Sequence, residues 1–502
     1  MGQIKKLAGQ TLWYGGSSVV AKLLNALLTP VLTYLMVDKS GMEAFGKVSL
    51  IYAYFGVLNV VFTYGMETGY FRFSNKPGVD RRKLFQTTFG SLLVSTILFC
   101  GLLYIFRFDI LDFTRIGNNV QYIFLCILIL AFDTLAAIPF AKLRQDARPK
   151  RYAFIKIIGI IINIVCIIFF LAILPGLNNS FVQDLLSGFD KVSLILLANV
   201  LGSAVVFFLL FNEWRSFRFS IDKDLLKQVF AYSSPMLVIG LAGMINEVMD
   251  RAFLNKWYSG TPAERITIVG IYSACYKISI VITMFIQAFK MAAEPFFFNR
   301  SADKNAPALY ARVMNWFVIT LCLAFLFTAL FLDYWKYYVQ ENYRVGLYIV
   351  PVLLFANIFS GIYYNLSIWY KLTDRMRYGI YITVIGALVT LVGNYFFIPR
   401  FGMMASAWTT LACYSLMVVL CYLWGQKFFK VPYNISKILS YLAVMLLVFF
   451  IQEIIKSLTP GLVIRTLSGF ILLSVFVLYI IRKEKEQIYA MPVVGKWLRK
   501  FD

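Results

Sequence analysis

The sequence predicts an all-α polytopic membrane protein of about 14 transmembrane helices, and three observations carry that prediction. Apolar runs of roughly 20 residues, the length that crosses a bilayer's hydrocarbon core as a helix, follow one another along nearly the whole chain. Hydrophobic residues make up 60% of it and charged residues 15%, with a mean hydropathy of +0.74, far from the composition of a soluble domain. The runs are too long for barrel strands and lack their alternation, and backbone polar groups in lipid have to be satisfied within the segment. Helices are the remaining choice.

Run length places spans at 11–37, 44–70, 85–107, 117–141, 153–174, 192–212, 229–255, 266–293, 309–332, 345–370, 379–398, 403–425, 438–455 and 464–481. Span 1 follows Lys5 and Lys6 directly, without a small-residue cleavage site, so it acts as its own insertion signal. Lys22 stands halfway along it, with Ser18, Asn25 and Thr29 on the same helical face. Span 2 carries Asn59, Thr63 and Glu67 at intervals of four. Spans 3 to 6 are apolar runs whose neighbouring connectors, 71–84 and 142–156, are rich in Lys and Arg. Span 7 holds Glu247, Asp250 and Arg251 at helical spacing. In span 8, Lys277 sits midway, Ser273, Gln287 and Glu294 fall within a narrow arc of it, and Lys290 lies toward its end. Spans 9 to 14 continue the pattern, and the tail 491–502 alternates Val493, Val494, Trp497 and Leu498 with Lys496, Arg499 and Lys500, as a short surface helix does.

Basic residues orient such a protein, because Lys and Arg loops stay on the cytoplasmic side. Segments on the side of the N-terminus hold roughly two thirds of the 48 Lys and Arg residues, which predicts both termini in the cytoplasm. The net charge of +23 follows from this topology and from attraction to anionic lipid headgroups, so it does not call for nucleic acid as a partner.

Several functions are excluded by what the chain lacks. With no histidine there is no ordinary neutral-pH base or proton relay and no imidazole metal ligand. The seven cysteines fall inside spans without metal-site spacing, so no metal and no other cofactor is expected. No P-loop and no long soluble segment exist to hold a nucleotide. A secondary transporter or flippase, not an enzyme, fits what remains. A membrane polymerase or ligase of lipid-linked sugars stays as a lesser alternative, since it would need a sizeable folded loop.

A charged side chain in mid-span costs about 2.5 to 3.5 kcal/mol on insertion scales, so each such residue is a functional candidate. Lys22 and Lys277 have no acidic neighbour at helical spacing, and two buried cations facing one cavity suit a lipid diphosphate. Arg251 would assist on the outward side, Arg72 and Arg144 would attract an anionic headgroup at the cytoplasmic mouth with Lys290 and Glu294 nearby, and Asn25, Asn59, Thr63 and Gln287 would hydrogen-bond sugar hydroxyls. Glu67, Glu247 and Asp250 are the candidates for coupling to H+ or Na+. Structural readings stand beside these: a neutralised Glu247–Asp250–Arg251 set, a Glu67–Arg72 ion pair, and interfacial snorkelling of Lys290 and Glu294.

At these residues the chain resembles the multidrug/oligosaccharidyl-lipid/polysaccharide (MOP) flippase superfamily, in its Wzx-like polysaccharide or O-antigen branch. The resemblance runs through Tyr64-Gly-Met-Glu67-Thr-Gly-Tyr-Phe-Arg72-Phe, Ala141-Lys-Leu-Arg144-Gln-Asp-Ala-Arg148-Pro-Lys150, Tyr232-Ser-Ser-Pro235, Asp250-Arg251, Gly270-Ile-Tyr272-Ser-Ala274, Glu294-Pro295 and Asn394-Tyr-Phe-Phe-Ile398-Pro399-Arg-Phe401-Gly402. It implies two six-helix lobes opening as a V, residues 1–228 and 229–437, with spans 13 and 14 appended over 438–481 and a cytoplasmic basic tail over 482–502. It also implies a bacterial inner-membrane flippase that moves a polyprenyl-diphosphate-linked oligosaccharide from the cytoplasmic to the periplasmic leaflet, working for polysaccharide or lipopolysaccharide assembly beside other assembly proteins. A drug or cation exporter of the same superfamily is the main rival, with a cavity expected to be acidic or aromatic.

Overall fold

The computed structural model of the chain describes residues 2–36, 42–176, 188–300, 303, 305–459 and 461–489. Side chains are not described at 2–15, 292, 294, 295, 298, 299, 488 and 489, so the side chains of Lys5, Lys6 and Glu294 and the surface-helix tail lie outside the described residues.

Every long element is a helix, and among the described residues there is no strand. In order they are α1 (Gly2–Leu35), α2 (Glu43–Thr63), α3 (Arg81–Ile105), α4 (Val120–Gln145), α5 (Pro149–Ile168), α6 (Lys191–Leu209) and α7 (Lys223–Val248). There follow α8 (Pro262–Ile278, resuming as Ile280–Arg300), α9 (Ala306–Ala329), α10 (Val350–Leu366), α11 (Met376–Phe401), α12 (Met403–Phe428), α13 (Ile435–Leu458) and α14 (Leu462–Lys483). Among the described residues, thirteen candidate spans are long and apolar enough to cross a membrane, and α8, taken across its bend, supplies a fourteenth. The starts are set by side chains that satisfy orphan backbone N–H groups. Asp80 accepts from Arg82 N, Asn119 from Gln121 N, Asp190 from Ser193 N and Asn434 from Lys437 N, and Thr261 with Glu264 closes a capping box on α8.

Helices α1 to α6 pack mainly on one another, through α1–α5, α2–α4, α3–α4, α4–α6 and α5–α6. Helices α7 to α12 do the same, through α7–α11, α9–α10, α10–α12 and α11–α12. The two halves meet where α2 lies against α7 and α8 and where α1 lies against the second part of α8. The closest approach needs glycine on both sides: a Cβ on Gly46 would sit 2.1 Å from the Ile266 carbonyl oxygen, and one on Gly270 would sit 3.1 Å from that of Met42. Asn255 Nδ2 donates to Thr114 O across the same end of the bundle at 2.8 Å. Helices α13 and α14 pack together against α9.

Three segments depart from the expected spans. Span 2 does not run to residue 70: Tyr64 and Gly65 both take positive φ, 33° and 71°, so α2 ends at Thr63 and a separate short helix covers Met66–Ser74. Glu67 therefore leaves the face of Asn59 and Thr63. Span 8 is two helices bent by 52° at Ser279. The hydroxyl of Ser279 donates to Tyr276 O at 2.7 Å and accepts from Asn357 Nδ2 at 3.1 Å, side-chain bonds that compete with the regular ladder. The turn between spans 11 and 12 is shorter than expected, because α11 continues through Pro399 to Phe401 and Gly402 alone, at φ 55°, turns the chain into α12.

Candidate functional site

The breaks in α7 and α8 set the directions of the buried charges. After Val248 the helix of α7 pauses at Met249 and resumes over Asp250–Trp257. Around that pause, Glu247 is exposed, while Asp250 and Arg251 are 1% and 7% exposed and point apart. Asp250 Oδ2 accepts from Tyr272 Oη at 2.7 Å and from Thr410 Oγ1 at 3.2 Å, inside the C-terminal half. Its Oδ1 accepts no hydrogen bond among the described residues. Arg251 instead lies over the Tyr276 ring at 4.3 Å and donates to the backbone oxygen of Glu247 at 3.1 Å, not to a carboxylate. The expected neutralised set of Glu247, Asp250 and Arg251 is thus not formed: sequence spacing put the three on adjacent faces, and aromatic and hydroxyl partners from α8 and α12 drew them apart.

Arg251 and Lys277 line one cavity of about 590 Å³. Its walls come from α1, α2, α4, α5 and α6, with α7 and α8 of the other half closing it, so it sits off-centre in the N-terminal half. Asn25 and Thr29 of α1 face it, as do Asp133 of α4, Lys156 and Asn163 of α5, and Asn199 and Ser203 of α6. At 1.5 Å per residue, Asp133, Asn163 and Lys277 each stand about 20 Å from the start of their helices, the middle of a bilayer core, and Lys156 about 10 Å from the start of α5. Three cations and one carboxylate leave the cavity two positive charges in excess. Lys277 has no carboxylate partner among the described residues, and the charges that act on it are the like charges of Arg251 and Lys22. Ser273 Oγ and Asn163 Oδ1 find no hydrogen-bond partner among the described residues. The arrangement can hold an anion at mid-depth and hydrogen-bond a polar group beside it.

A family model described as "Polysaccharide biosynthesis protein" matches residues 7–300, more than half of the chain. The chain belongs to that family. Among solved structures, this family member is similar to "Lipid II flippase MurJ, inward closed conformation", with a TM-score of 0.68 at 13% identity over 94% of this chain and 99% of that one. It is also similar to an inward-facing "multidrug resistance MATE family transporter of the MOP superfamily", with a TM-score of 0.61 at 13% identity over 81% and 94% of the two chains. The MATE multidrug transporter DinF-BH gives a TM-score of 0.59 at 14% identity over 85% and 96%. A search of curated protein sequences finds no match. The chain thus shares the fold of these solved proteins.

Of the residues expected to bind substrate, the structure gathers Lys277, Arg251 and Asn25 on one cavity. Lys22 is half-buried on α1 and does not reach the cavity wall, although its charge is felt by Lys277. Asn59 and Thr63 face elsewhere on α2, where Thr63 Oγ1 donates to Asn59 O at 2.7 Å, and Gln287 lies beyond the α8 bend, off the cavity. Among the residues expected at the mouth, Glu67 pairs with Arg144 and not with Arg72, because the break at Tyr64 and Gly65 turns it toward α4. Arg72 stacks over the Tyr232 ring at 4.6 Å, and Lys290 over the Tyr364 ring at 3.2 Å. Asp133 and Lys156 were not singled out from sequence. Asp133, a lone carboxylate inside the apolar run of α4, meets the same criterion as Lys277, and Lys156 with Gly159 and Asn163 forms a polar face at helical spacing on α5.

Proposed function

We propose that this protein is a Wzx-like flippase that carries a polyprenyl-diphosphate-linked oligosaccharide from the cytoplasmic to the periplasmic leaflet of a bacterial inner membrane, with both termini in the cytoplasm. The observation that supports it is the cavity's excess of two positive charges, supplied by Arg251, Lys277 and Lys156 against Asp133, with Lys277 at mid-depth. A diphosphate diester carries two negative charges at neutral pH. At an effective dielectric near 20, one cation about 5 Å from one anion gains roughly 3 kcal/mol before desolvation, so two contacts are on the scale of burying both charges. Loading relieves the mutual repulsion of Arg251, Lys277 and Lys22, which gives the substrate a differential affinity between conformations.

No covalent step is required. The membrane potential, worth about 2.3 kcal/mol per charge per 100 mV, drives an anion out of a negative interior. Of the carboxylates expected to couple an ion, Glu67 is held by Arg144, whereas Asp250 keeps one oxygen without a hydrogen bond among Thr410, Tyr272 and Asn394 and is the residue we assign to H+ or Na+ coupling. A drug or cation exporter is the second reading, favoured by the carboxylate of Asp133 on the cavity wall, but the surplus of cations repels cationic cargo. Lys277→Gln and Arg251→Gln, each reconstituted in liposomes, are expected to slow translocation of a short-chain polyprenyl-diphosphate sugar about tenfold or more. Wild-type rates in both variants, with normal insertion, overturn the proposal.

A further inference from the structure

We propose that the N-terminal wall of the cavity reads the sugar attached to the diphosphate, with the Asp133 carboxylate selecting a neutral or amino-bearing sugar against an acidic one. This rests on Arg251 and Lys277 as the diphosphate ligands. The two kinds of chemistry come from different halves of the chain: Arg251 and Lys277 from α7 and α8, the carboxylate and amides, with Lys156 among them, from α4, α5 and α6.

Asp133 is exposed to the cavity although it lies in the middle of α4, and among the described residues no cation pairs with it. Ser203 is its hydrogen-bonding neighbour on α6. The wall around it is continuous because α5 and α6 cross closely: a Cβ on Gly202 would meet Gly159 O at 3.0 Å and the Asn163 Cβ at 3.2 Å. That crossing puts Asn163, with its unpartnered Oδ1, beside the α6 residues Asn199 and Ser203. A carboxylate only accepts hydrogen bonds, while an amide both donates and accepts, and the mixture suits adjacent hydroxyl or acetamido groups of a sugar ring. A diphosphate is repelled from Asp133 and thereby oriented toward Arg251 and Lys277. A uronate at the sugar position sets two like charges together, which is discrimination by repulsion.

The test is equilibrium binding to the purified full chain of three probes: farnesyl diphosphate, farnesyl-diphosphate-linked N-acetylglucosamine and farnesyl-diphosphate-linked glucuronic acid. The native protein is expected to prefer the N-acetylglucosamine probe over the glucuronic acid probe about tenfold or more, by the cost of a like-charge pair. Asp133→Asn is expected to abolish that preference and to tighten farnesyl diphosphate binding, because a repelling charge is removed, and the retained binding of that probe also verifies folding. A native protein without the preference, or an Asp133→Asn variant that retains it, overturns the sugar assignment alone. Unchanged farnesyl diphosphate binding in Arg251→Gln and Lys277→Gln overturns the diphosphate reading on which it rests.

Discussion

Asp250 and Arg251 are neighbours in sequence and serve opposite halves of the molecule. The arginine is turned to the cavity by the aromatic faces of Tyr272 and Tyr276, and the carboxylate is turned away by Tyr272 Oη and Thr410 Oγ1. Substitutions at the two positions are therefore expected to separate. Arg251→Gln weakens diphosphate binding at every ion concentration, whereas Asp250→Asn leaves that binding intact and removes the dependence of transport on H+ or Na+. Titrating transport against each cation checks this, and an Asp250→Asn variant with the native ion dependence refutes the coupling assignment. At this scale the sequence was informative about which residues are unusual and uninformative about where they point. Lys277 was legible because a cation in an apolar run is costly. The same rule exposes Asp133, and it also flagged Lys22, whose side chain misses the cavity because the packing of α1 against α5 and α8, not helical periodicity, fixes the rotation of that helix.

At the level of elements, the helices were readable from apolar run length, and their interruptions were not. Gly65 gives some warning of the break after α2, but Ser279 sits in an apolar run without Pro or Gly, and the break there depends on Asn357 of α10, distant in sequence. Ser279→Ala leaves the Asn357 amide unsatisfied, and an unmade buried hydrogen bond costs about 1 to 3 kcal/mol. Thermal unfolding in detergent is expected to register that loss, and Ser279→Ala with Asn357→Leu is expected to recover part of it. A second element-level device joins the halves. Asp222 caps α7 by accepting from Asp224 N and Leu225 N, pairs with Lys83 of α3, and donates its backbone N–H to Thr87 Oγ1. The backbone N–H of Leu225 and then Lys83 hold its carboxyl below the usual carboxylate range. A depressed value means that the stabilisation is present above the unfolded pKa of about 3.9 and lost as the pH falls through the folded one. The melting difference between the native protein and Asp222→Asn is accordingly expected to stay constant from about pH 8 to 5 and to close in more acidic buffer. A difference that persists undiminished in acid contradicts this.

Across the whole molecule, the proposed flippase activity by alternating access requires the halves to part where they now touch. The crossing of Gly46 with Ile266 and of Gly270 with Met42 leaves no room for a side chain. Gly46→Val is expected to hold that end of the bundle apart, so that cysteine labels introduced along α2 and α8 react from that side at all times and transport falls to background. Labelling indistinguishable from the native pattern would show that the contact is not a gate. The all-α architecture was legible from composition and run length alone, and the family match and the shared fold agree with it. The off-centre cavity was not legible, because it depends on how far each of the helices around it is rotated and offset along its neighbours.

Gly402 carries a further consequence. A single residue with left-handed φ joins α11 to α12, and a Cβ there would lie 3.1 Å from the Tyr258 ring. Two helices tethered so tightly cannot leave the translocation machinery one after the other, so they enter lipid as a hairpin. Gly402→Val is therefore expected to reduce the amount of protein that matures, visible as degradation during synthesis, while the molecules that do assemble work at the normal rate.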